Sequence, residues 1–254
     1  MSDRLPTVFI GHGSPENALA DNAYTRSLTA LASSFARPKA VLVVSAHYLT
    51  NGIGVTSAGH PRTIHDFYGF PQPLYEVRYP AAGSPELAEQ VAAVLGGQED
   101  REWGLDHAAW AVLRHMYPNA DVPVVELSLD LDRPASEHYA LGQALASLPD
   151  EGVLVLGSGN AVHNLGVVRW EDDAKPYGWA VEFDAAVEKA LVGRDDAALV
   201  EYRSLPGSSW SVPTPDHYLP LLYAAAAAGP AAIAETTHAG IEMGSVSMRC
   251  VRFG

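Results

Sequence analysis

The sequence predicts an α/β fold, one domain with a sheet core and helices outside it. Three stretches carry that reading: Thr7-Val-Phe-Ile-Gly-His12, Val41-Leu-Val-Val-Ser-Ala-His47 and Val153-Leu-Val-Leu-Gly-Ser-Gly-Asn-Ala-Val-His163. Each holds a short apolar run of the kind that forms a strand buried on both faces. Each run leads through small residues to a histidine. In open α/β sheets the carboxyl ends of the strands are where ligands bind. Three strands delivering three histidines to one rim therefore suggest a metal site.

The remaining elements follow in order. Strand one covers about Thr7 to Ile10. The turn Gly11-His12-Gly13-Ser14-Pro15 comes next, with glycines that let the backbone pass close to a ligand. A helix is expected over Asn22 to Phe35, and Pro38 ends that connection. Strand two is Val41 to Val44, and Ile53 to Ser57 reads as a further short strand. From His60 to Pro80 the chain is rich in Pro, Gly and aromatics and includes Ile64-His65-Asp66-Phe67-Tyr68-Gly69-Phe70-Pro71. An ordered loop of this length is uncommon and often functional. Its aromatics either wall a pocket or pack the loop down.

Ser84-Pro85-Glu86 opens a helix with an N-cap and a proline at its first position, running to about Leu95. Asp106-His107 begins a helix that stops near Tyr117-Pro118. Val122 to Leu127 is a strand, Pro134 to Leu148 a helix and Val153 to Leu156 the third long buried strand. Trp179 to Leu191 and Asp195 to Arg203 read as helices. Pro213-Thr-Pro-Asp216-His217 leads into a helix through Ala228, and Ala232 to Thr236 and Ser245 to Arg252 read as two closing strands. There is no internal repeat, low-complexity linker or composition break.

Composition narrows the function. With 254 residues, 48% hydrophobic and 18% charged, the chain is globular and can bury a sizeable core. A formal net charge of −14 argues against nucleic acid and anionic membranes as partners. The single cysteine, Cys250, excludes a disulfide framework, Fe–S clusters and a thiolate zinc site. The ten histidines are the abundant borderline ligands, and neutral imidazole suits Fe, Zn, Cu and Ni. No apolar run is long enough for a membrane span, and Met1-Ser-Asp-Arg-Leu-Pro6 has no signal-peptide core. A soluble, cytoplasmic protein is the expectation.

His12, between two glycines, and His47 are each compatible with a surface residue. Their joint occurrence at the ends of neighbouring strands points to a metal. The glycine-rich turn before His163 lacks both the P-loop ending and the dinucleotide glycine spacing, which sets nucleotides aside. His163 is then a rim histidine, either ligand or acid–base group. His217 and His107 follow Asp216 and Asp106 at expected helix starts, where the acids suit the helix N-terminus. No HExxH occurs, and Gly157-Ser158-Gly159 lacks the spacing of a hydrolase nucleophile elbow. His60, His65, His115, His138 and His238 read as structural or exposed.

A set of motifs occurs in one order along the chain. They are Gly11-His-Gly-Ser-Pro15, Ser45-Ala-His47, Ile64-His-Asp-Phe67 with Gly69-Phe-Pro71, Tyr79-Pro80 with Gly83-Ser-Pro85, and Asp106-His107. Ser158-Gly-Asn160 with Val162-His-Asn164, Pro213-Thr-Pro-Asp-His-Tyr-Leu-Pro220 and Gly240-Ile-Glu-Met-Gly-Ser245 complete it. Together they resemble the 4,5-DOPA extradiol dioxygenase family, a branch of the class III (LigB-type) extradiol ring-cleavage dioxygenases. The resemblance spans nearly the whole chain and implies one catalytic domain over residues 1–254, with a central mixed β-sheet flanked by helices. It also implies a mononuclear Fe(II) site that is often found holding Zn(II). By this resemblance His12 and His47 match the two N-terminal metal ligands and His217 the C-terminal one. His163 matches the histidine beside the metal, an acid–base group or a fourth ligand. His107 matches a pocket histidine that contacts substrate or dioxygen. The wider class completes its triad with Glu; here the motif offers His217 with Asp216 beside it, and either can be the third ligand.

The implied partners are a small aromatic diol and O2. The implied reaction opens a catechol ring next to its hydroxyls to give a muconic semialdehyde, with His163 moving the proton and His107 bonding the developing oxygen charge. Phe67, Tyr68, Phe70 and Tyr75 are candidates for the ring-binding side. Tyr218 and Trp110 stand near proposed ligands in sequence, and Arg78 is a candidate for a substrate carboxylate. Two rival readings compete: a zinc hydrolase acting on a small amide or ester, and a non-enzymatic Memo-like binding protein.

Overall fold

The computed structural model describes residues 4–171 and 174–254; Met1 to Asp3, at the start of the segment read for a signal peptide, lie outside the described residues. The strands are β1 (Thr7–Gly11), β2 (Ala40–Leu49), β3 (Gly54–Thr56), β4 (Gln98–Asp100), β5 (Val124–Leu129), β6 (Val153–Gly159), β7 (Ala234–His238), β8 (Ile241–Glu242), β9 (Val246–Ser247) and β10 (Cys250–Phe253). The helices are α1 (Ala23–Ala32), α2 (Gln72–Tyr75), α3 (Pro85–Leu95), α4 (His107–Met116), α5 (Ala135–Ala144), α6 (Leu148–Glu151), α7 (Gly178–Gly193), α8 (Asp196–Val200), α9 (Ser208–Ser211) and α10 (Leu219–Ala228).

Eight strands form one mixed sheet in the order β4-β3-β5-β2-β6-β1-β10-β7. Its centre, β5-β2-β6-β1, is parallel, and β10 and β7 add antiparallel at one edge. The central strands alternate their apolar side chains between two cores. Leu42, Val44, Val125 and Val155 pack with α3, α7 and α10 on one face. Val41, Val43, Leu154 and Leu156 pack with α1 and α4 on the other. A parallel sheet covered on both faces needs the unbroken apolar runs seen in the sequence. Among the described residues, no helix is long and apolar enough to cross a membrane.

The structure redraws several boundaries that matter for the site. The strand expected to stop at Val44 continues to Leu49, so His47 lies within β2 rather than past its end. Pairing with β5 shifts register between Val44 and Leu49; such an irregularity re-aims side chains next to functional sites. The helix expected over Pro134 to Leu148 ends at Ala144, and a short second helix follows. The last expected strand is divided: a β8–β9 hairpin precedes β10. His217 does not begin a helix. Pro213 and Pro215 lie in the bends and turns of residues 213–218, and α10 starts two residues after His217, with Pro220 in its first turn.

The glycines beside the histidines also have a different use from the one expected. A Cβ on Gly11 would meet the Ser247 carbonyl at 2.7 Å, and one on Gly13, at φ +63°, would meet Met248 Sδ at 2.5 Å. They admit the C-terminal segment, not a ligand. Likewise, side chains at Gly157 and Gly159 would collide with the carbonyls of Pro220 and His217. Those glycines let the His217 segment lie directly on β6, where the Asn160 amide donates to the His217 carbonyl at 2.8 Å.

Candidate metal centre and active site

Five histidines gather at the carboxyl end of the parallel strands. His12 follows β1, and its amide donates to the Gly159 carbonyl of β6 at 3.0 Å. His47 rises from the irregular end of β2, its amide on Ser45 Oγ at 3.1 Å. His107 is the first residue of α4, whose N-cap Asp106 accepts from the amides of Ala108 and Ala109. His163 hangs on the loop after β6, its amide bonded to the Ser211 carbonyl at 2.8 Å. His217 comes from the turn before α10.

The rings are in mutual contact. His47 and His107 have centroids 4.1 Å apart, His47 and His217 4.9 Å, and His12 and His217 5.3 Å. His163 stacks on His217 at 3.5 Å with planes 7° apart. One ligand atom from each of His12, His47 and His217 lies within 4.8 Å of the others. Two further groups meet the same limit, His47 with Asp66 and His107, and His163 with Asp216 and His217. His163 is thus outside the group that joins β1 and β2.

Hydrogen bonds decide which nitrogen each ring turns inward. Ser158 Oγ donates to the Ala108 carbonyl at 2.7 Å, so it accepts from His12 Nδ1 at 3.1 Å. His12 Nε2 then carries a free lone pair, and it faces His47 Nε2 at 3.3 Å. His217 Nδ1 donates to the Asp216 carboxylate, which leaves Nε2 open there too.

Electrostatics keep the rings of His12, His47, His163 and His217 neutral. Burial first, then the neighbouring His47, His217, His107 and His163, holds His12 well below the ordinary imidazole range. His217 falls in the same way, through burial and then His163. Burial with His107 nearby takes His47 down to about 3, despite Asp66. Burial takes His163 to about 4. Burial pushes Asp66 up, but the hydrogen bonds and charge of His107 and the charge of His47 outweigh it and leave it at about 2. Neutral, buried imidazoles converging with open lone pairs are a donor set for a divalent cation.

The other expected contacts divide. The Phe67 ring sits 5.7 Å from that of His107 and packs with Phe70, Tyr75 and Trp110. Trp110 is fully buried and donates from Nε1 to the Ile64 carbonyl at 2.7 Å, holding the aromatic loop down. The loop's aromatics therefore pack the loop down, with Phe67 set against His107. Tyr68 is 91% exposed. Tyr218 is buried, donates to the Leu199 carbonyl at 3.0 Å and packs on Tyr202. Its partners are core residues, so packing accounts for it. Arg78 bonds the carbonyls of Tyr75 and Val77 and secures its own loop.

Sequence reading missed two residues that touch the cluster. Ser158 lies beneath His12. Asp66 lies against His47 and His107, although its motif was quoted. Behind them, Glu126 and Asp106 are both fully buried and joined through the Asp106 amide on Glu126 Oε1 at 2.9 Å. Of the remaining histidines, His65 Nε2 meets the Val77 carbonyl at 3.1 Å and His115 Nε2 the Asn17 carbonyl at 2.7 Å.

Comparison with known proteins places the chain in a family. Residues 6–249 match the family model described as the catalytic LigB subunit of aromatic ring-opening dioxygenase. The chain is 48% identical to a 4,5-DOPA dioxygenase extradiol of Escherichia coli (strain K12), covering 100% of this chain and 96% of that one. It is 39% identical to a 4,5-DOPA dioxygenase extradiol of Beta vulgaris, over 97% and 96%. A crystal structure of an uncharacterized protein from Escherichia coli K12 superposes with a TM-score of 0.87 at 43% identity, covering 99% of this chain and 100% of the other.

Proposed function

In a chain that belongs to the LigB family of aromatic ring-opening dioxygenases, we propose that His12, His47 and His217 hold one divalent metal ion, with His163 beside it as the acid–base residue. Family membership makes the protein an extradiol ring-cleaving dioxygenase, a metal-dependent enzyme that takes a small aromatic substrate and O2. The hydrolase and Memo-like readings give way to it. The active metal is Fe(II), and Zn(II) is the ion expected in protein as purified. The substrate is a DOPA-like ortho-diphenol and the product a muconic semialdehyde. Residues 1–254 act as one catalytic domain, and a reducing cytoplasm suits an Fe(II) enzyme whose single thiol, Cys250, is buried.

The observation that carries this reading is the approach of His12 Nε2 and His47 Nε2 to 3.3 Å. Burial keeps both rings neutral, and Ser158 fixes the proton of His12 on the far nitrogen. Lone pairs facing each other in a buried site repel unless a cation lies between them. The donor set fits such an ion: three neutral imidazoles, a charge that stays on the metal, and a hydrogen-bonded Nδ1 behind His12 and His217. His217 serves as the third ligand, because Asp216 is engaged as its hydrogen-bond acceptor.

When bound, Fe(II) supplies the redox chemistry that joins a catechol to O2 and lowers the pKa of a bound phenol. The chain does the rest. His163, neutral and stacked on His217, takes the proton of the second catechol hydroxyl and returns one later in the cycle. Parallel stacking keeps its ring edge turned along the plane of His217, beside the ligand it must serve. His107 approaches the same centre from α4 and bonds the substrate oxygen. Phe67, followed by Tyr68 at the surface, forms the ring-binding side.

The test is anaerobic reconstitution of the apoprotein with Fe(II), addition of a catechol panel and admission of oxygen. A yellow product formed with matched oxygen uptake, absent with Zn(II), is expected. Stoichiometric iron binding without oxygen uptake on any catechol would contradict the proposed substrate and metal.

A further inference from the structure

Asp66 is the one acid of the aromatic loop that reaches the histidine cluster, and every polar contact it makes there points the same way. Its Oδ1 accepts from the His107 amide at 3.0 Å, and its Oδ2 from His107 Nδ1 at 2.8 Å. The same Oδ2 lies 3.4 Å from His47 Nδ1. One oxygen thus meets two rings, one a proposed ligand and the other a proposed substrate contact. Side-chain exposure is only 13%, so water competes little for either.

The backbone on both sides of Asp66 is anchored. Before it, the Ile64 amide donates to the Leu105 carbonyl at 2.7 Å, and the Ile64 carbonyl accepts from Trp110 Nε1 at 2.7 Å. His65 bonds the Val77 carbonyl and packs on Trp110. After it, Phe67 packs on Trp110, Tyr75 and His107. A carboxylate on so fixed an arch selects orientation in whatever it bonds. An ionised carboxylate accepts hydrogen bonds and donates none. The His107 Nδ1 bonded to it must therefore carry hydrogen, which leaves Nε2 open in the neutral ring, and the His47 Nδ1 at 3.4 Å lies within reach of the same charge.

We propose that Asp66 is a positioning residue for ring cleavage: one carboxylate sets which nitrogen of His47 faces the metal and which nitrogen of His107 faces the substrate. This rests on the metal reading above for His47, and on geometry alone for His107. It also sharpens the part played by His107. With hydrogen on Nδ1, its Nε2 accepts a hydrogen bond from a substrate hydroxyl. The expectation that His107 bonds the developing oxygen charge requires hydrogen on Nε2, a tautomer of the neutral ring that Asp66 opposes. The grouping of Asp66 with His47 and His107 as a possible metal site is then a carboxylate hydrogen-bonded to His107 with His47 beside it, and not a second centre.

The test is Asp66→Asn, with Asp66→Glu as the variant that keeps a carboxylate. Histidine 15N shifts read the tautomers, and zinc affinity is read by competition with a chromophoric chelator. In the unsubstituted chain His107 is expected as the Nδ1–H tautomer. In Asp66→Asn the amide NH2 competes for the same nitrogen, so the Nε2–H form appears and zinc affinity falls by about 10–100-fold. Asp66→Glu recovers more of the affinity than Asn does. A His107 found as Nε2–H in the unsubstituted chain, or shifts and zinc affinity unchanged in Asp66→Asn, would overturn the proposal. An unsubstituted chain that takes up no zinc contradicts the metal reading instead, and the His107 shifts in the apoprotein still decide for or against Asp66. If Asp66→Asn does not fold, the unsubstituted apoprotein's own shifts give the same decision.

Discussion

His138 is buried like His12, His107 and His217, with His47 and His163 half-buried beside them, yet only the rim leaves ring nitrogens without a protein partner. His138 lies between α5 and α10 with no exposure, its Nδ1 on the Tyr223 hydroxyl at 3.0 Å and its Nε2 on the Asp130 carbonyl at 3.1 Å. Both nitrogens are occupied by the protein. At the rim, His12, His107 and His217 have a protein partner on Nδ1 only, while the Nε2 atoms of His12 and His47 face each other. Burial alone therefore does not mark a functional histidine. The mark is burial with one nitrogen left over, and with other such nitrogens close by. His65 and His115 sit between the two cases, each holding a carbonyl that ties one loop down.

The widest separation of the two regions comes from replacing His163 and His217. His163→Ala is expected to lower kcat by about 10²–10⁴-fold, the usual contribution of a positioned acid–base group, while iron stoichiometry stays at one. His217→Ala is expected to lose the iron itself. Iron loss in both variants would make His163 a fourth ligand.

The next effect is on stability against pH, measured by denaturant unfolding of the apoprotein. His163 is held to about 4 and His47 to about 3, both through burial. In the unfolded chain each takes a proton near pH 6.5, and in the folded chain neither does until the lower values are reached. The unfolded state binds more protons in that window, so stability falls as pH drops from about 6.5 towards 4. Each such histidine contributes a slope of about 1.4 kcal/mol per pH unit. A flat profile between pH 6.5 and 4 would show that the cluster is not neutral. His138, lowered by burial against the opposing hydrogen bond to the Asp130 carbonyl, contributes with the same sign.

The smallest effect is expected at His138. His138→Leu leaves the Tyr223 hydroxyl and the Asp130 carbonyl without their partner, at a cost of about 1–3 kcal/mol each. The midpoint of thermal unfolding drops, while kcat of the folded fraction keeps its value. A loss of kcat larger than the loss of folded protein would place His138 in the same class as the rim.

How much of this was legible follows from how each part is held. The central strands were readable because a covered parallel sheet demands continuous apolar runs, and β1, β2 and β6 have them. His12 and His163 were readable because they sit one and four residues past such runs. His217 was not readable from pattern alone: it lies in a proline-bounded turn, and only the resemblance singled it out. β4 gave no signal because Gln98, Glu99 and Asp100 form a polar, poorly buried edge. Asp66 and Ser158 were missed because they act across the fold, 41 residues from His107 and 146 from His12. A side chain's hydrogen-bond partner at that distance leaves no local mark. The glycines flanking His12 were noticed for the right property, room, but the occupant of that room is the C-terminal segment.

The most direct test of the central claim is a crystal structure of the zinc-loaded protein, read for its ligand atoms. The expected result is one ion bonded by Nε2 of His12, His47 and His217, with His163 stacked alongside and unbonded. An ion held instead by His163, Asp216 and His217, or by His47, Asp66 and His107, would contradict it.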